Sequence, residues 1–218
     1  MFEKRKAAKL AAQQAAVRAE IERMIGVVEN KVTVETPLIL KPGERAIYVL
    51  PGAGLFEPRR GRGHWTGGSA GFSVPTGAGT RFRIGATHGY YVQGAEAPTI
   101  IDTGTVSLTD HRAVFQGATH TREWDYGKLV GVQHFAKQPW TAIEVSNREK
   151  TSGFTYQGVR SDFVRSWLEI SVGLHEGKHD EVLRQLNEQL AELPPTDPAL
   201  VQSLQNNPGC LNPKKTGT

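Results

Sequence analysis

A single cysteine, Cys210, stands in the 218 residues of the chain, which excludes an intramolecular disulfide and any zinc site built on cysteine pairs and fits a reducing compartment. Long apolar runs are missing too. No window of about 20 residues is apolar enough to span a bilayer as a helix. The N-terminus carries Glu3, Lys4, Arg5, Lys6 and Lys9 and then runs through Ala and Gln, without the apolar stretch of a signal peptide. The expected location is therefore cytoplasmic, with peripheral contact at the inner face of the membrane allowed. There is no G-x-x-x-x-G-K-[ST] phosphate loop and no strand-to-helix G-x-G-x-x-G fingerprint. What is present suits a globular protein: 38% hydrophobic and 22% charged residues are enough for a sizeable core. A net charge of +4 permits contact with phosphates but is too small by itself to indicate a nucleic-acid protein.

Texture divides the chain into four parts. Residues 1–30 are rich in Ala and free of Pro, and the spacing of Ala7, Leu10, Gln14, Val17, Ile21, Met24 and Val28 predicts a helix with a narrow apolar seam. Such a seam suits weak self-association as a coiled coil, or an arm that docks only near its C-terminal end. From Lys31 to Gly158, short β-branched and aromatic runs separated by Gly, Pro, Asp and Asn predict consecutive antiparallel strands. Early candidates are Arg45 to Leu50, Leu55 to Arg59, Ala70 to Val74, Arg81 to Ile84 and Tyr90 to Gln93. Thr105 to Thr109 and Arg112 to Gln116 flank a tight turn at Asp110 and His111 and alternate at period two, a hairpin signature. Strands follow at His120 to Tyr126, Lys128 to Phe135, Trp140 to Ser146 and Gly153 to Gln157. Phe163, Trp167, Ile170 and Leu174 then mark one face of an amphipathic helix, with Ser161 or Asp162 as its N-cap and Gly177 as a left-handed stop. A second helix, within 178–194, starts at about His179 and carries Val182, Leu186, Leu190 and Leu193. Residues 195–218 read as a flexible tail, because Pro, Asn, Gln and Thr there supply little to bury.

Two motifs invite an enzymatic reading. His175-Glu176-Gly177-Lys178-His179 matches H-E-x-x-H, whose chemistry needs both imidazoles on one helical face to hold zinc. A helix stop at Gly177 would destroy that face, so an exposed turn between helices is expected, and a metal-dependent hydrolase is the alternative. Gly67-Gly68-Ser69-Ala70-Gly71 matches the G-x-S-x-G nucleophile elbow, but that elbow must lead into a helix. Phe72-Ser73-Val74-Pro75 reads as a strand instead, and a Gly-rich hairpin is expected. No catalytic residue, metal or cofactor is expected.

The stretch GTVSLTDHRAVFQG, Gly104 to Gly117, followed by TREWDYGKLVGV, Thr121 to Val132, resembles the hairpin and next strands of bacterial PH-like and GRAM-like domains. Gly104, Leu108, Thr109, Arg112 and Phe115 carry the likeness, with Lys128, Leu129 and Val132 later. The wider chain, from 43 to 177, is similar to a group of actinobacterial proteins that place a segment like GHWTGGSAGFSV before this hairpin. The resemblance implies a mainly β fold with added helices: a split, strongly bent antiparallel barrel of about seven strands over 31–177, capped by the C-terminal amphipathic helix. It departs from the family pattern between Pro58 and Ala95, which is longer and richer in glycine than an ordinary early hairpin. Such domains commonly bind lipids, peptides or proteins, so the implied function is a binding or adaptor module for a protein partner or an anionic membrane surface.

The departing segment is also where binding chemistry gathers. Between Pro58 and Ala95 there is no Asp or Glu, yet there are Arg59, Arg60, Arg62, Arg81 and Arg83, with His64, Trp65 and ten glycines. Arginine forks bind phosphate or carboxylate, glycines leave backbone N–H groups accessible, and a Trp suits a lipid headgroup layer. An anionic partner is one reading. The other is a solvated pair of strands whose arginines pair with Glu57, Asp102 and Glu123. Nucleic-acid binding through arginine and aromatic contacts is a third reading, which the modest net charge disfavours.

Overall fold

The computed structural model describes residues 2–60, 64–75, 81–92, 96–135 and 139–194, with the backbone alone for 2–9 and 64–92. The expected tail at 195–218 and Arg62 lie outside the described residues. The chain forms α1 (Phe2–Val28), nine strands, α2 (Ser161–His175) and α3 (His179–Glu192). The strands are β1 (Ala46–Arg60), β2 (His64–Pro75), β3 (Arg81–Val92), β4 (Glu96–Thr109), β5 (Arg112–Gly117), β6 (Thr121–Asp125), β7 (Leu129–His134), β8 (Trp140–Val145) and β9 (Ser152–Thr155).

Seven strands make one antiparallel sheet in the order β6-β5-β4-β1-β9-β8-β7, and β2 and β3 make a separate two-stranded ribbon. The sheet is strongly curled. Trp124 of β6 lies 6.1 Å, ring to ring, from Phe154 of β9, and its indole N–H donates to Ser152 Oγ at 3.0 Å. Three strands separate β6 from β9 in the sheet, so in a flat sheet they would stand roughly 19 Å apart. A 3-10 turn at Tyr126–Lys128 joins the edge strands β6 and β7, which are not hydrogen-bonded neighbours, so the sheet is not closed.

The runs Arg45 to Leu50 and Leu55 to Arg59 were expected as two strands, and they are one. β1 continues through a bulge between Pro51, opposite Thr105, and Ala53, opposite Gly104. Gly52 is the surplus residue and takes a φ of 69°, a left-handed conformation that costs glycine little. The ladder then resumes on the same partner. β4 is correspondingly longer than Thr105 to Thr109, because its first half pairs with the outer half of β1, from Leu55↔Asp102 to Arg60↔Glu96. The expected β4–β5 hairpin forms as read, with Val106 opposite Phe115 and Leu108 opposite Ala113. Tyr126 and Lys128 leave the strands assigned to them for the 3-10 turn, where Asp125 accepts a hydrogen bond from Gly127 N at 2.9 Å.

The core is one cluster into which all three helices contribute. α2 buries Val164, Trp167, Leu168, Ile170 and Ser171, a stripe rotated from the expected Phe163 face. Phe163 sits at its margin, under the Arg160 guanidinium at 4.8 Å. The N-cap is Arg160, which makes no side-chain cap bond; Asp162 instead pairs with Arg160. Trp167 stacks on Tyr48 of β1 at 5.0 Å and 11°, and its indole donates to Glu20 of α1 at 2.6 Å. Of the α1 seam, Ile21, Met24 and Val28 are buried, together with Val27, and each contributes about 1.5–3 kcal/mol. Leu10, farther out, is 55% exposed. The helix docks by its C-terminal end. α3 closes the set: Leu186 is buried, Arg18 of α1 donates to the Leu193 carbonyl at 3.2 Å, and His179 Nε2–H donates to the Val28 carbonyl at 2.9 Å.

Candidate binding surface

The arginine-rich segment is the ribbon and its root. β1 ends on Arg59 and Arg60, both exposed, opposite Ala97 and Glu96 of β4. The ribbon pairs in register from His64↔Val92 and Trp65↔Tyr91 at its near end to Ser73↔Arg83 and Pro75↔Arg81 at its far end. Its strands are twelve residues each, so the two ends stand roughly 35 Å apart. The residues singled out by sequence therefore form two groups rather than one patch: Arg59, Arg60, His64 and Trp65 toward the root, Arg81 and Arg83 at the tip. The side chains of His64, Trp65, Arg81 and Arg83, and Arg62 altogether, fall outside the described part.

Beside the root lies a cleft of about 480 Å³ lined by Glu57, Arg122, Arg148, Glu149, Lys150 and Ser152. Of its lining carboxylates, Glu57 is already engaged. Arg122 Nε donates to Glu57, and that hydrogen bond, against the opposing effect of burial, holds the Glu57 carboxyl below its usual range, with Arg59 adding a smaller field. Lys150 donates to Glu96 at 2.6 Å and lowers its pKa in the same way. Asp102 accepts from Thr119 N at 2.9 Å and His120 N at 2.7 Å; these donors, the Thr119 amide first, depress its pKa and tie the β5–β6 turn to β4. Glu123 is taken by Arg112 at 2.9 Å and Lys41 at 3.2 Å. The three carboxylates that the solvated-strand reading assigned to the arginines of the segment thus each bond to other donors.

Under the β4–β5 turn lies a polar knot that local sequence patterns did not reveal. Arg112 grips Glu44 with two hydrogen bonds, Nε to Oε1 at 2.7 Å and Nη2 to Oε2 at 2.9 Å. Lys41 N and the Thr109 hydroxyl also donate to Glu44, at 2.7 and 2.8 Å. Burial opposes the Glu44 charge, but Arg112, Lys41 N and Thr109 outweigh it and hold the pKa down at about 2. Thr109 and Arg112 belong to the motif that carried the family likeness. Glu44 lies sixty-eight residues before Arg112, a separation no periodicity encodes. This knot fixes one end of the sheet and is a scaffold for the surface rather than part of it.

The two enzymatic motifs meet different fates. Ser69 stands inside β2, opposite Thr87, with no helix after it, so the strand-to-helix elbow is absent. His175 ends α2 and His179 begins α3. Between them Gly177 takes a φ of 74°, with Lys178 N donating to the Gly173 carbonyl at 2.9 Å and Gly177 N to that of Leu174 at 3.1 Å, the paired bonds of a Schellman stop. The imidazoles then face different neighbours: His175 packs edge-on against Tyr126 at 5.9 Å, and His179 bonds to Val28. Among the described residues, no group of three or more His, Cys, Asp or Glu could hold a metal ion, and no helix is long and apolar enough to cross a membrane. Comparison with protein-family models, curated proteins and solved structures gives no match.

Proposed function

We propose that this chain is a non-enzymatic binding module of PH-like architecture that recognises an anionic surface through the arginine-rich insertion between β1 and β4. Three features support the architecture. With β2 and β3 set aside as an insertion, the remaining seven strands form a curled antiparallel sheet whose first strand, β1, pairs with its last, β9. The amphipathic helix α2 follows β9 directly. Its Trp167 stacks against β1, the position of a helix that stoppers one end of a split barrel. The observation that carries the function is the one-sided charge of the insertion, five arginines and no Asp or Glu between Pro58 and Ala95, rooted beside carboxylates that bond to Arg122, Lys150, Arg112 and Lys41. Such a segment keeps a positive field for an outside partner. The chain would then act as an adaptor, held at a protein or at the inner face of a membrane.

The test uses the full chain against a panel of polyanions over a salt series: vesicles of phosphatidylcholine with and without phosphatidylglycerol, polyglutamate, and duplex DNA and RNA. Binding to phosphatidylglycerol vesicles or polyglutamate that fades with salt and is lost in the Arg59→Glu/Arg60→Glu variant is expected. No binding to any of them, or binding that the variant leaves intact, overturns the proposal. Tighter binding to DNA or RNA than to the other two overturns it in favour of a nucleic-acid role.

A further inference from the structure

The register of β2 against β3 sorts the insertion into two unlike faces. Directly opposed residues of an antiparallel pair share a face, and the faces alternate along the strand. One face holds Ala70↔Ala86, Phe72↔Ile84 and Val74↔Phe82; the other holds Ser69↔Thr87, Gly71↔Gly85, Ser73↔Arg83 and Pro75↔Arg81. The outer half of the ribbon is therefore apolar on one side and polar and cationic on the other. Among the described residues, β2 and β3 are hydrogen-bonded only to each other as a sheet of two strands. Such a ribbon is marginal in water by itself, and an apolar face of this kind needs cover.

We infer that the outer half of the β2–β3 ribbon is a membrane-contacting element that lays its Ala70, Phe72, Val74, Phe82, Ile84 and Ala86 face on an anionic bilayer. This inference rests on the reading of the insertion as an anion-recognising segment and names the surface that it recognises. Charge complementarity selects the occupant. The stretch from Pro58 to Ala95 holds five arginines and no Asp or Glu, and two of the five, Arg81 and Arg83, stand at the same end of the ribbon as the apolar pairs. An apolar face backed by a cationic polar face is the combination that anchors an amphipathic segment in the interface of acidic lipid. Geometry limits how deep it goes. From Ala70 to Val74 the ribbon advances roughly 13 Å, less than half of the ~30 Å hydrocarbon core. Both ribbon edges present backbone groups that hydrocarbon cannot satisfy. The ribbon consequently lies along the interface, its edges at headgroup level, and does not span.

The experiment reads depth at successive residues. In the full chain carrying Cys210→Ser, an environment-sensitive fluorophore is attached in turn at Ala70→Cys, Phe72→Cys and Val74→Cys and at Ser69→Cys, Gly71→Cys and Ser73→Cys. Near-ultraviolet dichroism from the buried Trp124 and Trp167 shows for each variant that the sheet is folded. With vesicles containing phosphatidylglycerol, labels at 70, 72 and 74 are expected to shift to the blue and be quenched by spin-labelled lipid. Labels at 69, 71 and 73 stay with the aqueous quencher. Phe72→Ser/Phe82→Ser is expected to weaken vesicle partition by tenfold or more. Vesicle binding without this alternation overturns the inference and leaves the anionic-surface reading standing, as does binding to polyglutamate but not to vesicles. Binding to neither overturns both. Release of a trapped dye on binding overturns the placement at the interface in favour of a spanning assembly.

Discussion

Replacing Glu44 by Gln removes the charge at the centre of the knot beneath the β4–β5 turn while keeping its size. In the folded chain this carboxyl is held at about 2 against an ordinary 4.5, with its side chain 1% exposed and the Arg112 side chain 9% exposed. A difference of that size corresponds to about 3 kcal/mol of stability at neutral pH. Glu123, which shares Arg112, is 39% exposed in its side chain, so water reaches the rim and screens part of it, leaving roughly 2 kcal/mol. The variant adds a cost of its own, because Arg112 stays buried with one strong partner fewer. Because the folded pKa lies below the unfolded one, the stabilisation is complete above about pH 4.5 and is lost as pH falls toward 2. Urea unfolding of wild type and Glu44→Gln from pH 7 to pH 2.5 checks this. The variant should be less stable by about 2–3 kcal/mol at pH 7, and the gap should narrow steadily below pH 4.5. A cost under about 0.5 kcal/mol at pH 7, or a gap independent of pH, would refute the assignment of the depressed pKa to this ion pair.

Other expectations follow from close contacts. A Cβ on Gly104 would lie 2.0 Å from the Gln116 carbonyl oxygen, so Gly104→Ala should cost about 1–3 kcal/mol, read as a shift of the urea midpoint. Trp167→Ala removes the Tyr48 stack and leaves Glu20 without its indole donor; a loss of about 3–5 kcal/mol is expected, and a change under 1 kcal/mol would show that α2 is not integral to the core. Gly177→Ala forces alanine into a φ of 74° and should destabilise by about 1 kcal/mol in thermal melts. Removing residues 2–15 should leave one cooperative transition, whereas removal through Val28 takes away Ile21, Met24, Val27 and Val28 from the core and should abolish it, as urea titration will show.

Local patterns carried much of the fold. Val182, Leu186, Leu190 and Leu193 recur at helical spacing, and α3 carries the first three as expected, with Leu193 as its C-cap. The alternation of Val106 and Leu108 with Ala113 and Phe115 gave the β4–β5 hairpin its register, since neighbouring strands joined by a two-residue turn have few other ways to pair. Misreadings arose where a local signal had a nonlocal answer. Pro51-Gly52 looks like a chain break, but a bulge absorbs it because β4 is available on both sides. Phe163 has the right spacing for the core, yet its neighbour Val164 is the one buried there. The candidate surface was legible as composition, five arginines without a carboxylate. Its division into a root and a tip, and into two faces, needed the pairing of β2 with β3.

From the order of residues alone came much of what near neighbours set: helices at the two ends, strands between, the left-handed stop at Gly177 that divides His175 from His179, and a stretch of arginines without Asp or Glu. These depend on torsional preference and on periodicity over a few residues, which the chain writes locally. Tertiary structure decided what meets across distance: β1 beside β9, Trp124 against Phe154, Trp167 between Tyr48 and Glu20, and Glu44 clasped by Arg112. Those partners are chosen by how the sheet curls and by which buried polar atoms remain to be satisfied, and both depend on the whole chain at once.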